Sequence, residues 1–416
     1  MKRPMSEEGY ELTLGQPEVP AVEVAPEPEP ATPAEWVRRN LFSSASNGVQ
    51  TVVAAVVAVW LVTKVIGFVT GADWLIVKTY LRVFMVGRFP LEEIWRVWLD
   101  VYIVILLAGL SVGVIPPRAW NVRRAIRWVA LVGAAATVLL YLIEGVRVFL
   151  LLGGAVALLR AAIWVGRRVG RQRLRRPLIV AWILAFPLLV VVLRGFDGVQ
   201  PQYWGGFLLN AIAGVVAIFA SFPIGLLLAL GRRSTLPAVR VFSVGFIEFI
   251  RGVPLAVLLV FGVFAFELLL PPGTRFPKIV LAMMMMVVFS SAYVAEIVRG
   301  GLQGVPEGQY EAARALGLRY PRTMALVAIP QALRNTIPAM ISHFISLWKD
   351  TSLLAVPAIF SDLLSIAGRA SNVRDVRFIG HEAEALTAAA FMFWVVAFSM
   401  SRWSQRVEKR VGVGER

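Results

Sequence analysis

The chain has 416 residues, of which 58% are hydrophobic and 16% charged, with a mean hydropathy of +0.72 and a formal net charge of +16. Soluble globular domains lie far from that composition, so this is an integral membrane protein, with room for about ten spans of ~20 residues across ~30 Å of hydrocarbon. It has no cysteine, which excludes disulfides, thiolate metal sites and cysteine nucleophiles; two isolated histidines, His343 and His381, leave no evident metal or catalytic constellation.

Residues 1–36 form an acidic tail rich in proline and glutamate. Eight glutamates stand against Lys2 and Arg3 in residues 1–35, so the basic excess belongs to the rest of the chain. The tail cannot bury enough surface to fold, and is expected to be disordered and cytoplasmic. It lacks the basic and apolar regions of a signal peptide.

Ten apolar stretches follow, at 49–69, 97–115, 126–143, 147–166, 178–194, 206–230, 240–267, 277–300, 337–357 and 384–403. Arginines gather at alternate connections, in PPRAWNVRRAIR (116–127), RRVGRQRLRRP (167–177), GRRSTLPAVR (231–240), residues 310–330 and SRWSQRVEKR (401–410). The positive-inside rule places these in the cytoplasm, with both termini, and explains the basic excess without nucleic acid. Residues 71–97 then lie outside despite Lys78, Arg82, Arg88 and Arg96, and their mixed aromatic and charged pattern suits an amphipathic interfacial helix. The 167–177 run separates a first membrane region, 37–200, from a second, 201–405, with a short cytoplasmic tail at 406–416. The fold class is an all-α polytopic helical bundle.

In the second region, Glu248 and Arg251 are three residues apart in one span, and Glu296 and Arg299 in the next. Each couple shares a helical face, as a self-neutralising ion pair or as part of an inner gate. The run Met283–Met286 reads as adaptable packing. After residue 300, Gly300, Gly301, Gly304, Pro306 and Gly308 break the helix. Glu307 and Glu311 then favour the start of a new one, in which Ala312, Ala313 and Ala315 offer a small, smooth face. Gly317 and Pro321 end it before a second short helix, so 306–330 builds two short cytoplasmic helices at an angle.

The spacing is specific. Glu311-Ala312-Ala313, three residues, Gly317, nine residues, then Val327-Ala328-Ile329-Pro330 resembles the coupling motif of binding-protein-dependent ABC importer permeases. FIEFIRGVPL (246–255), SAYVAEIVRGGLQGVPEGQYEAARALGL (291–318) and KDTSL (349–353) are similar to the polar-amino-acid branch (histidine, glutamate, glutamine, arginine), and the long N-terminal half resembles the M-type permease of general L-amino-acid transporters. The resemblance implies a type I importer permease fold over 201–405, with Glu311, Ala312, Ala313, Gly317 and Pro330 as the coupling residues. It also implies that Glu311 pairs with basic groups on a separate ATPase subunit, which would hold ATP and Mg. The chain has no Gly-x-x-x-x-Gly-Lys-Ser/Thr sequence of its own and is read as a non-enzyme.

A periplasmic amino-acid-binding protein and a second permease would complete the assembly in a bacterial inner membrane. Lys349, Asp350, Thr351 and Ser352 supply both an acceptor and donors for an amino acid, and lie near the translocation cavity in the resembling family; capping or pairing is the plainer role. His343 reads as a packed polar residue. The rival reading, an ion-gradient-driven secondary transporter, would call for inverted repeats, and no duplication is evident between 37–200 and 201–405.

Overall fold

A computed structural model of the chain describes residues 32–114, 146–370 and 376–411. The acidic run 1–31 and the expected span 126–143 lie outside the described residues. The chain divides into two compact units at Ala72/Asp73.

In the first unit, Thr32 caps helix α1 (Pro33–Leu41) in a reciprocal box: Glu35 N donates to Thr32 Oγ1 at 3.4 Å, and Thr32 N donates to Glu35 Oε2 at 3.1 Å. The Thr51 hydroxyl fastens α1 to α2 (Ala45–Gly71) by donating to Leu41 O at 2.8 Å. No residue of α2 is buried in the protein, although the helix is apolar all round. Such a helix suits lipid contact.

The second unit opens with α3 (Leu75–Val86), α4 (Ile94–Val114), α5 (Val146–Val169) and α6 (Arg171–Arg194). It continues through α7 (Gly206–Arg232), α8 (Pro237–Gly252), α9 (Leu255–Phe264) and α10 (Lys278–Gln303). Seven helices among the described residues are long and apolar enough to cross a membrane, or eight if α8 and α9 count as one bent span. Two expected spans differ in form. Residues 240–267 are not one helix, because α8 and α9 meet at 103°. Pro254 lacks an N–H and pushes Val253 out of the helical region, to φ −103°, ψ 130°. The span expected at 337–357 runs from Ile329 to Asp350, and its polar residues, among them Asn335, Ser342 and His343, keep it outside the apolar set.

Residues 71–97 do not form a single interfacial helix. Ile76 and Phe84 of α3 are buried with Leu363, Ala367, Phe378 and Ala385 from the far end of the chain. Arg96, expected at the membrane surface, is 7% exposed and donates to Val192 O at 2.8 Å and Gly195 O at 3.0 Å, satisfying carbonyls at the C-terminal end of α6. Glu93 pairs with it at 2.5 Å. The charge is held by the protein, not by water.

A tight joint fixes the start of α7. Gly206 has φ +56°, and a side chain there would collide with the backbone carbonyl of Phe84 in α3. Its N–H donates to Ser361 O at 2.7 Å. One turn on, the fully buried Asn210 donates to Thr351 O at 3.0 Å and accepts from Leu363 N at 3.0 Å. One amide thus satisfies two backbone groups from segments that follow 140 residues later in the fold. Asn210→Ala strands both, at about 1–3 kcal/mol each. Thermal unfolding of the purified protein is expected to show a midpoint lower by several degrees, whereas a change at exposed Gln202 leaves it in place.

Candidate functional site

The motif segment 306–330 is realised as α11 (Glu307–Ala315), α12 (Tyr320–Thr323), a π-helical turn (Met324–Ala328) and α13 (Ile329–Asp350). Gly317 has φ +73°, a left-handed conformation that L side chains resist, and the turn closes with Leu318 N donating to Ala313 O at 3.0 Å. The second short helix is not separate. It runs through the π turn into α13. Pro330, in the first turn of α13, has no N–H to return to the preceding turn, and the widened turn just before it absorbs that loss.

Glu311, Ala312, Ala315, Leu316 and Gly317 are exposed, and Leu316, Tyr320 and Leu326 leave 80%, 61% and 67% of their surface open. Ala313 departs from the expected smooth face, since it is 3% exposed and points inward. The helical period puts it on the side of Tyr310, three residues earlier, rather than with Ala312 and Ala315. Tyr310 packs against a core that includes Leu302, Val305, Met324 and Ala328. Gln331 Nε2 donates to Gln309 Oε1 at 3.1 Å, tying α11 to α13. One side of α11 is therefore anchored to the ends of α10 and α13, and the other is free.

Beside this anchor the charged residues form one network, not two local pairs. Glu296 accepts from Arg299 on its own helix at 2.9 Å, from Arg232 of α7 at 2.8 Å, and lies 3.5 Å from Arg251 of α8. Glu248 does not take Arg251 as its partner; Arg232 reaches it at 2.9 Å. Arg232 is the residue the sequence reading missed, because it sits in a basic run already explained by topology. Its partners are 16 and 64 positions away, so no local pattern reveals them. Arg251 also lies over the Tyr293 ring at 5.8 Å, and Tyr293 stacks on His343 at 5.6 Å. His343 Nε2 meets Ser290 Oγ at 2.9 Å, which donates on to Ser221 Oγ at 2.9 Å. A polar thread thus crosses α7, α10 and α13.

The Lys349–Ser352 cluster divides. Thr351 is fully buried, donates to Trp348 O at 2.8 Å and lies 3.4 Å from the Asn210 amide, so its hydroxyl is engaged within the fold. Lys349 is exposed, while Asp350 and Ser352 are half-buried. Among the described residues no group of three His, Cys, Asp or Glu side chains could hold a metal ion.

The family model described as "Binding-protein-dependent transport system inner membrane component" matches residues 221–413, which contain the segment 306–330 and the ion network. The chain is 35% identical over 404 residues to the inner membrane amino-acid ABC transporter permease protein YhdY of Escherichia coli (strain K12), covering 91% of this chain and 93% of that protein. It is 34% identical to the glutamate/glutamine/aspartate/asparagine transport system permease protein BztC of Rhodobacter capsulatus, over 93% of this chain and 96% of that one. A solved amino acid ABC transporter with histidines aligns at a TM-score of 0.43 and 31% identity, over 48% of this chain and 90% of that chain. The chain belongs to the ABC transporter permeases of this family.

The secondary-transporter alternative is thereby set aside, since the relatives covering nearly the whole chain are ABC permeases. In this permease the network and the turn make separable predictions. Glu296, whose side chain is 15% exposed, neutralises arginines from three helices, so Glu296→Gln is expected to cost on the order of 3 kcal/mol. Glu248→Gln, at a side chain 55% exposed, is expected to stay within ~1 kcal/mol; thermal melts of both variants check the order. Gly317→Ala meets no atom within 4 Å, so its cost is the backbone's alone, about 1 kcal/mol. Hydrogen exchange should show that loss confined to residues 313–320.

Proposed function

We propose that this permease provides half of an alternating-access pathway for amino acids, driven by a separate ATPase chain that docks on the exposed side of α11. The observation that carries the reading is the division of that helix. Glu311 and Leu316 are open to a partner, while Tyr310 and Ala313 are held by the ends of the membrane helices. A displacement imposed on the open side therefore moves α10 and α13 with it, because packed rigid elements shift together.

The arginine distribution supports a cytoplasmic side for both termini, the ion network and the coupling segment. ATP and Mg belong to the partner ATPase in this scheme, and this chain carries out no covalent chemistry. A periplasmic binding protein delivers the amino acid, and a second permease supplies the other half of the path. The cargo class is supported by the names of the two long relatives, an amino-acid permease and one for glutamate, glutamine, aspartate and asparagine. Asp350 as acceptor and Lys349 and Ser352 as donors suit the ammonium and carboxylate of such a cargo. Thr351 is withdrawn from that role by its bonds to Trp348 and Asn210.

The network around Glu296 is read as a latch at the inner end of the path. It joins α7, α8 and α10 by charge-assisted bonds that a shear between those helices would have to exchange. The reading turns on Glu311. Glu311→Lys is expected to insert normally in the membrane but to lose copurification of the ATPase and ATP-driven uptake. Normal ATP-driven uptake in that variant would overturn the docking role, and uptake that survives a dead ATPase but collapses with the proton gradient would overturn the importer itself.

A further inference from the structure

At the opposite end of α7 from the coupling helix, about 40 Å away along its 27 residues, the joint between α3 and the segment 361–370 forms an open cleft of about 350 Å³. Its volume is that of a small-molecule site. Arg88 and Arg369 line it together with the hydroxyl-bearing Tyr80 and Ser361, over an apolar floor that includes Phe84 and Ile366. No carboxylate is among the lining residues. Asp362, next in the chain, is fully buried and turned to the N-terminus of α14 (Leu363–Gly368), where it accepts from Leu364 N at 3.1 Å.

The two arginines are prepared differently. Arg369 donates from Nε to Ser365 O at 2.9 Å and from Nη2 to Phe360 O at 3.0 Å, which fixes the guanidinium and leaves the rest of its five donors uncommitted. Arg88 is exposed and has no carboxylate partner among the described residues. Tyr80 is held edge-on against Phe378 with ring centroids 5.4 Å apart. Two unneutralised guanidinium groups beside hydroxyls and an apolar floor form a receptor for an anionic head on an apolar body, since guanidinium matches carboxylate and phosphate oxygens in a planar fork.

We propose that this cleft binds a carboxylate- or phosphate-bearing small molecule, taken either from solution or from the headgroup of an anionic lipid. One wall, residues 80–88, lies outside the part of the chain matched by the permease family, and the other, 361–370, lies inside it. An anion bound there joins the N-terminal extension to the permease core. The site is independent of the coupling helix and of the cargo.

The test uses the full permease, assembled with its partners, in phosphatidylcholine nanodiscs, read by hydrogen exchange at residues 80–90 and 361–370. Three probes are applied: glutarate, which has carboxylates but no ammonium group to engage an amino-acid path; inorganic phosphate; and phosphatidylglycerol incorporated in the disc. Saturable protection of both segments is expected with at least one of them. In Arg88→Gln the concentration needed should rise about tenfold, as for the loss of one charge-assisted contact. Protection by glutarate or phosphate identifies a soluble anion, and protection by phosphatidylglycerol alone identifies a lipid headgroup. The thermal midpoint of Arg88→Gln should match that of the parent, because Arg88 holds no other group. Absence of protection with all three probes, or protection unchanged in Arg88→Gln, would overturn the site.

Discussion

A carboxylate placed among apolar helices must be neutralised by the protein itself, and Glu296 is neutralised from three helices at once. Arg299 comes from its own helix, Arg232 from α7 and Arg251 from α8. The cost of leaving any one of these charges unpaired binds the three helix ends into one body. That body lies at the point where α10 turns into the coupling segment. The network and α11 are thus neighbours, because α10 carries Glu296 and leads into α11; in the proposed mechanism α10 would join latch to lever.

The lever's own form follows from backbone chemistry. Gly317 supplies the left-handed residue that ends α11, and the π turn through which the chain enters α13 accommodates the missing N–H of Pro330. Ahead of that turn, Tyr310 and Ala313 face the bundle. The result is a short helix fixed on one side and open on the other, which is what transmission from a separate chain requires. At the other end of the bundle, Gly206 and Asn210 bring α3, α7 and the segment 351–363 together by backbone approach and hydrogen bonds rather than by charge.

The helical membrane class, most of the spans, the family and the break into short helices at 306–330 were legible in the sequence, because each rests on local pattern: apolar length, helix-breaking residues, and a motif of fixed spacing. The bend at Val253–Pro254 was not read, although proline restricts the residue before it, because the unbroken apolar run 240–267 hid it. Partnerships were not legible. Arg232 and Arg96 read as surface charge, yet each is satisfied by groups distant in sequence, Glu296 in one case and the carbonyls of Val192 and Gly195 in the other. The i, i+3 couple Glu248 and Arg251 shared a face without sharing a bond, because a nearer guanidinium from α7 took the carboxylate. Ala313 was grouped with its neighbours by composition, although the 3.6-residue period assigns it to the side of Tyr310.

The central claim is that α11 presents one side to an ATPase and keeps the other for its own membrane helices. The chain contains no cysteine, so single cysteines can be placed without background. The most direct measurement is site-specific crosslinking of the assembled transporter from Ala312→Cys, Leu316→Cys and Ala313→Cys. The account predicts crosslinks to the ATPase from positions 312 and 316 and none from 313. An assembled complex in which 312 and 316 fail to crosslink, or in which 313 crosslinks as readily, would contradict it.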